Sequence, residues 1–256
     1  LNKTSTETVT EEYTCKLEFN AVERDTIGEN IPTTVSFESD SWSTIAANVH
    51  AGNTSKYNVG DTKEVGLGEL GTHTVRIANK SACTTETSET ACGFVVEFAD
   101  IITKHAMNST NTNVGGWKDS EMRTYINSTI YNALPSDLQN VITNTKVISA
   151  LGDTEGGTNF TSTDKLYLLS VQEVWNGNDY GTSVGTSKQL DYYKNQGVTE
   201  SNYVGAIKQY NGSNDYWWLR SATSLYNYFV AARDSGDCGS SVPYATRGVS
   251  PAFRIA

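Results

Sequence analysis

The chain has 256 residues, enough for one large domain with a sizeable core, or for a domain with a small appendage. Its formal net charge of −10, with no cluster of Lys and Arg to offset it, argues against a phosphate-backbone partner and against attraction to an anionic membrane. Charged residues are only 19%, while Thr, Ser, Asn and Gly are abundant, a chemistry of strands, turns and polar loops rather than helix bundles. No apolar run is long enough to span a bilayer. The chain begins at Leu1 rather than Met, so nothing about secretion follows from the lack of a leader.

Residues 1 to about 12 are rich in Thr and Glu and read as a stalk or linker. Tyr13, Cys15, Leu17 and Phe19 alternate with polar residues, the pattern of an amphipathic strand. Trp42, Ile45, Ala46 and Val49 recur at helical spacing before Gly52, which suggests a short helix. Lys63–Val65 and His73–Ile77 read as a hairpin around GLGELG, and GFVVEFADII, from Gly93, as an apolar strand running into a turn or short helix. The clearest helix is Lys118–Leu134, with Met122, Tyr125, Ile126 and Ile130 on one face, ended by Pro135. Ser136-x-x-Gln139 reads as the capping box of a second helix that buries Leu138, Val141 and Ile142. Lys165–Leu169 reads as a buried strand, and Ser170-x-x-Glu173 caps a third short helix. Residues 176–215 look mostly like loop; Trp217–Arg220, Phe229–Ala232 and Val249–Ile255 read as strands. This order is mixed α+β rather than alternating βαβ.

Few motifs carry chemistry. Gly66-x-Gly68-x-x-Gly71 has the spacing of a dinucleotide loop, but a strand follows it, not the helix that would hold a pyrophosphate. Asp234-Ser235-Gly236 with His105 upstream has no further support for a triad and reads as a polar turn. His50, His73 and His105 are isolated, without zinc spacing. Cys238 has no basic neighbour closer in sequence than Arg233 to activate a thiolate. Asn176, Asn178 and Asp179 offer oxygens for calcium but lack the full alternating spacing, so a plain turn is the simpler reading. No catalytic constellation, metal site or cofactor follows, and the chain reads as a non-enzyme. Of four cysteines, Cys83 and Cys92 flank a short polar loop and are the plausible disulfide, with a pair of buried thiols as the alternative; Cys15 and Cys238 stay unassigned. Trp117 and Trp217-Trp218 read as core aromatics. Tyr226, Tyr228 and Tyr244, set among turn residues without apolar periodicity, read as contact residues on loops.

The last 36 residues, from Ser221, contain no Glu, Lys, Gln, Met or Trp, although the preceding 220 contain 40 of them. At that rate the tail would hold roughly 6 or 7. These are the five types that a codon ending in a pyrimidine cannot encode. The middle of the tail is crowded with Tyr, Ser, Gly, Ala, Asn, Asp and Arg, the mixture of an antibody paratope. A polar, loop-rich C-terminus that lacks five types by chance is the bland alternative.

The blocks GGWKDSEMRTYI, ALPSDLQNVI, STDKLYLLSVQEVW, WWLRSA and GVSPAFRI resemble bacterial variable proteins of diversity-generating retroelements. The resemblance spans about residues 57–256 and implies a C-type lectin-like fold, in the branch similar to formylglycine-generating enzymes, with two central helices, short antiparallel sheets and long loops. Residues 1–56 lie outside it and read as a linker or strand appendage of unknown role; the resemblance implies residues 57–256 as a ligand-binding domain whose segment at about 222–247 is diversified by adenine-directed mutagenesis. The positions it assigns as variable and ligand-binding are Leu225, Tyr226, Asn227, Tyr228, Ala231, Arg233, Asp234, Asp237, Gly239, Ser240, Val242, Tyr244, Thr246 and Arg247. Phe229, Gly236 and Cys238 fall to the scaffold. The expected partner is a protein or glycan ligand at a surface, with no nucleic acid and no membrane insertion; the expected place is outside a bacterial cell, on its surface or on a phage particle. The chain lacks the EPN, QPD and WND motifs of sugar-binding C-type lectins and the tail cysteine pair that formylglycine-generating enzymes use for copper. A receptor or adhesin is therefore the first expectation, and a glycan-binding lectin, with or without assistance from calcium, the alternative.

Overall fold

The structure is a computed structural model that describes residues 31–84, 86–152, 159–177, 188–224 and 226–256. Two compact units divide the chain, Leu1–Ile31 and Pro32–Ala256, and the second holds all of the described elements. The expected N-terminal stalk and the strand at Tyr13–Phe19 lie outside the described residues.

The unit opens with helix α1 (Trp42–His50), capped by Ser41, whose hydroxyl accepts from the Thr44 N–H. Trp42 and Ile45 face inward, and Trp42 meets Phe253 edge-on at 6.3 Å. Residues 32–56, expected in an appendage, thus belong to the compact unit: Phe37, Trp42 and Ile45 sit in one core with the C-terminal strand residues Phe253 and Ile255.

Strands β1 (Thr62–Gly66) and β2 (Thr72–Asn79) form the hairpin read from the sequence, with a 3₁₀ turn at Gly68–Leu70. Gly71, at φ 87°, closes the turn, so the glycine spacing serves a hairpin and not a phosphate. β3 (Phe94–Phe98) pairs β2, and β13 (Ala252–Ile255) pairs β3, giving an antiparallel sheet of order β1-β2-β3-β13. The second sheet has order β11-β10-β9-β12-β4, from β4 (Thr103–His105), β9 (Trp217–Ala222), β10 (Phe229–Ala232), β11 (Cys238–Ser241) and β12 (Arg247–Val249). Its pairs are antiparallel except β12 on β9. Two-stranded ribbons β5 (Thr145–Ser149) with β6 (Phe160–Asp164), and β7 (Lys208–Tyr210) with β8 (Ser213–Asp215), complete a mixed α+β architecture.

Helix α2 (residues 121–133) is α-helical over Glu121–Tyr125, π-helical over Ile126–Ile130 and α-helical again over Tyr131–Ala133. Met122, Ile126 and Ile130 are fully buried, as their spacing requires. Helix α3 (Ser136–Val141) differs from the capping-box expectation. Its N-cap is Pro135, and the Gln139 amide instead donates to Leu134 O at 2.7 Å, across the break between the helices. Leu166, Tyr167, Leu168 and Leu169 are buried, but residues 165–169 join no ladder beyond one bridge, Tyr167 to Ala252. Asn127 takes the place of a strand partner: its Oδ1 accepts from the Lys165 and Leu166 N–H groups at 3.0 Å and its Nδ2 donates to Leu166 O. The expected strand Val249–Ile255 is two strands in different sheets, separated at Ser250-Pro251, because proline cannot donate to a ladder. Within 176–215, read as mostly loop, lie helix α5 (Asp191–Asn195) and the β7–β8 ribbon. Among the described residues no helix is long and apolar enough to cross a membrane.

Two buried charge clusters lock the core. Glu97 accepts from Arg76 (2.9 Å), Lys208 (2.8 Å) and the Tyr193 hydroxyl (2.9 Å). Burial raises its proton affinity, but Arg76 and Lys208 outweigh burial and hold the carboxyl below its ordinary range. The second cluster lies beside the C-terminal sheet. Helix α4 (Val171–Trp175) starts in a true capping box between Ser170 and Glu173, and Glu173 also binds Arg220 of β9. Cys83 and Cys92 are joined as a disulfide, Cα to Cα 4.7 Å.

Candidate functional site

The sequence points to the tail, and the tail is built on β9, β10 and β11. These strands are inward-facing throughout most of their length: Trp217, Trp218, Leu219, Ala222, Phe229 and Val230 are fully buried. Apolar β residues between two turns are forced into the core, so the chain's polar and aromatic loop residues are left outside. β9 is further pinned by Arg220, whose guanidinium donates to Glu173, Thr90 Oγ1, Ile148 O and Leu168 O.

Three connections carry the expected variable residues. The first joins β9 to β10. Here Tyr226 is 65% exposed, and its ring stacks on that of Tyr228 at 5.6 Å. The loop is closed by Thr223 N–H to Tyr228 O (2.9 Å) and by the Thr223 hydroxyl to Tyr226 O (2.6 Å). Asn227 and Tyr228 are half-buried; Leu225 lies outside the described residues.

The second joins β10 to β11. Arg233 pairs with Asp237 at 2.6 Å, and the Arg233 N–H donates to Asp237 O. The Ser235 hydroxyl, and then Arg233, hold the Asp237 carboxyl below its ordinary range. Arg233, Asp234 and Ser235 are exposed. Gly236 has φ 89°, and a Cβ there would lie 2.3 Å from Tyr203 O, so the turn requires glycine. Asp234-Ser235-Gly236 thus forms the polar turn expected of it.

The third joins β11 to β12. Tyr244 is 54% exposed and Thr246 is exposed, while Val242 is half-buried. Pro243 O accepts from the Met107 and Asn108 N–H groups at 2.9 and 3.1 Å. Arg247 lies over the Tyr216 ring at 4.7 Å and donates to Ser241 Oγ at 3.2 Å.

The β10 register sets how these parts lie. Phe229 is opposite both Ala222 and Ser241, and Ala232 is opposite Trp217 and Cys238. The Tyr226–Tyr228 loop and Val242 therefore leave the sheet at one end, and the Arg233–Asp237 turn at the other.

Two expected contact positions are not on this surface. Ala231 is 1% exposed, in the centre of β10 between Trp218 and Gly239, and no ligand reaches it. Gly239 is also buried, beneath Arg233, whose Nε would lie 2.7 Å from an added Cβ. Gly239 follows from alternation along β11, where only Ser240 is exposed, whereas all four residues of β10 are buried, so Ala231 is enclosed by packing whichever way it points.

The structure adds residues that the sequence did not single out. Among the described residues the large apolar side chains that stand exposed are Val35, Val114, Val204, Tyr226 and Tyr244. Val114 (55%) follows Asn113, which hydrogen-bonds the tyrosine loop; Val204 (67%) follows Tyr203, which packs on Gly236. Neither valine carries a signal in one sequence, because an exposed loop valine looks like a buried one until its neighbours are placed.

Elsewhere, Asn176 caps α4 in the left-handed conformation at φ 60°, a turn role; Asn178 and Asp179 lie outside the described residues. Trp117, Trp217 and Trp218 are core residues with no exposed ring for a sugar. His105 stacks on Tyr125 at 4.0 Å. Among the described residues no three His, Cys, Asp or Glu side chains converge as a metal site.

Residues 95–256, more than half of the chain, match a family described as a domain of unknown function (DUF6273), and the chain belongs to that family. The match begins in β3 and takes in the whole tail. No curated protein and no solved structure matches the chain.

Proposed function

We propose that this member of the DUF6273 family is a non-enzymatic receptor or adhesin of C-type lectin-like fold, whose C-terminal face is diversified by a retroelement. One coincidence carries the reading. The segment that lacks Glu, Lys, Gln, Met and Trp is the segment whose loops stand exposed on a buried sheet, with Tyr226 and Tyr244 at their tips. A diversified binding surface needs both: side chains free to change, and strands that do not move when they do.

In this reading Tyr226, Tyr228 and Tyr244 are anchors, with Asn227, Ser240, Val242 and Thr246 around them. Arg233, Asp234, Asp237 and Arg247 set charge complementarity. Ala231 and Gly239 belong to the framework. The ligand is a protein or glycan at a surface, met outside a bacterial cell or on a phage particle.

The test is to sequence the gene deeply across a growing population of its source. Substitutions confined to pyrimidine-ended codons between Ala222 and Arg247, and sparing Phe229, Ala231 and Gly236, are expected. Changes spread evenly, or none, overturn diversification. The stacked Tyr226–Tyr228 pair favours a second reading, a fixed lectin in which a sugar ring lies on the exposed tyrosine; specific retention on a glycan array by a sequence that never varies would select it.

A further inference from the structure

We infer that Asn113 is a positioning residue for the aromatic loop, holding its main chain in one path whatever side chains occupy positions 226 and 228. The inference concerns binding only through the reading above, but its structural half stands apart from it. Asn113 is fully buried and lies far outside the tail in sequence. Its Nδ2 reaches three carbonyl oxygens of the loop, Thr223 at 2.8 Å, Tyr226 at 3.0 Å and Tyr228 at 2.9 Å. An amide has two N–H bonds, so the three acceptors share them.

Every acceptor is main chain. Such bonds are blind to residue identity, so replacing Tyr226 or Tyr228 removes none of them. The side chains at the loop tip point the other way, as the exposure of Tyr226 requires. Asn113 is itself anchored: its carbonyl accepts from the Gly116 N–H at 2.9 Å. Gly152 leaves room for it, since a Cβ at Gly152 would lie 2.5 Å from Asn113 O. The loop is thus fastened from beneath by a residue of the constant scaffold, and a partner need not bear the entropy of ordering it.

The experiment is amide hydrogen exchange by NMR on the full chain, comparing wild type, N113A and the double replacement Y226S/Y228N. Exchange at the Thr223 and Tyr228 amides should quicken about tenfold in N113A, with β2 and β3 amides unchanged. The double replacement should leave both loop amides within about twofold of wild type. Retained protection in N113A, or equal loss in the double replacement, overturns the inference. If N113A does not fold, N113D at pH 8 keeps the side-chain shape while presenting a carboxylate that cannot donate, and is read in the same way. A library randomised at 226, 227, 228 and 244, selected on hen egg-white lysozyme as an arbitrary protein probe, separates the two ideas. Selected binders should weaken about tenfold when N113A is added; equal affinity overturns the staple's part in recognition. No binders, with the exchange result as expected, overturns the binding-face reading and leaves the staple standing.

Discussion

Glu173 and Arg220 are both fully buried and face each other through two hydrogen bonds of 2.6 Å, one to each carboxylate oxygen. Glu173 is at the same time the partner of the N-cap Ser170 in the capping box of α4, so one carboxylate ties a helix start to the strand from which the tail departs. Removing one partner strands a buried charge. R220M is expected to lose roughly 3–5 kcal/mol in urea unfolding, and E173M/R220M to recover part of that loss because neither charge remains. A loss below about 1 kcal/mol for R220M contradicts this account of the pair.

Lys208 is buried with Glu97 and Arg76, and burial lowers its pKa from 10.5 to about 8 against the pull of Glu97. An unfolded chain holds that proton to higher pH than the folded one. Between pH 8 and 10 the unfolded state therefore binds more protons, and the stability from this group rises with pH. Tyr193, raised by burial and then by Glu97, keeps its proton in the folded state and turns the trend downward above its ordinary value of 10.0. Unfolding free energies at pH 7.5, 8.5 and 9.5 should climb for wild type relative to K208M; parallel curves would refute the assignment.

The loop tyrosines and the strand residues should part company in stability. Y226S and Y244S are expected to change unfolding free energy by less than about 0.5 kcal/mol. F229A, which empties a fully buried site, should cost about 3–5 kcal/mol. A231Y, forced between Trp218 and Gly239, should cost about 1–3 kcal/mol or abolish folding. Thermal and urea melts of the four variants decide the matter, and a tolerated A231Y would return that position to the variable set.

Gly236 and Gly239 should differ although both have close neighbours. At Gly236 an added methyl meets main chain, Tyr203 O at 2.3 Å, in a left-handed backbone. At Gly239 its nearest neighbours are all atoms of the flexible Arg233 side chain. G236A is expected to cost more than about 1 kcal/mol in any background. The cost of G239A should be mostly relieved by R233S, a coupling that a double-mutant cycle would read at about 0.5 kcal/mol or more. Simple additivity would show that Arg233 does not lie over this glycine in solution.

Much of the scaffold was legible because it obeys local rules. Trp42, Ile45 and Val49 marked α1; Met122, Ile126 and Ile130 marked the inner face of α2; Ser170 with Glu173 marked the start of α4. The same rules failed where a group other than the one a local motif implies makes the bond. Ser136 and Gln139 have capping-box spacing, but Pro135 is the N-cap and Gln139 turns back to Leu134. Lys165–Leu169 have the composition of a strand, but Asn127 takes two of the segment's N–H groups. The site divides likewise. Tyr226 and Tyr244 were legible as loop aromatics, whereas Ala231, Gly239, Val114 and Val204 were placed only by neighbours far away in sequence.

By itself the sequence determined the mixed α+β class, the hairpin around the clustered glycines, the principal helices and the unusual composition of the last 36 residues, since each is a property of neighbours along the chain. Which tail residues face outward, which end of the sheet each loop leaves, and which scaffold residue fastens the tyrosine loop were decided only by the tertiary structure. Register and burial are set by pairings between distant segments, Ala231 with Trp218 or Asn113 with Thr223, and the one-dimensional pattern does not contain them.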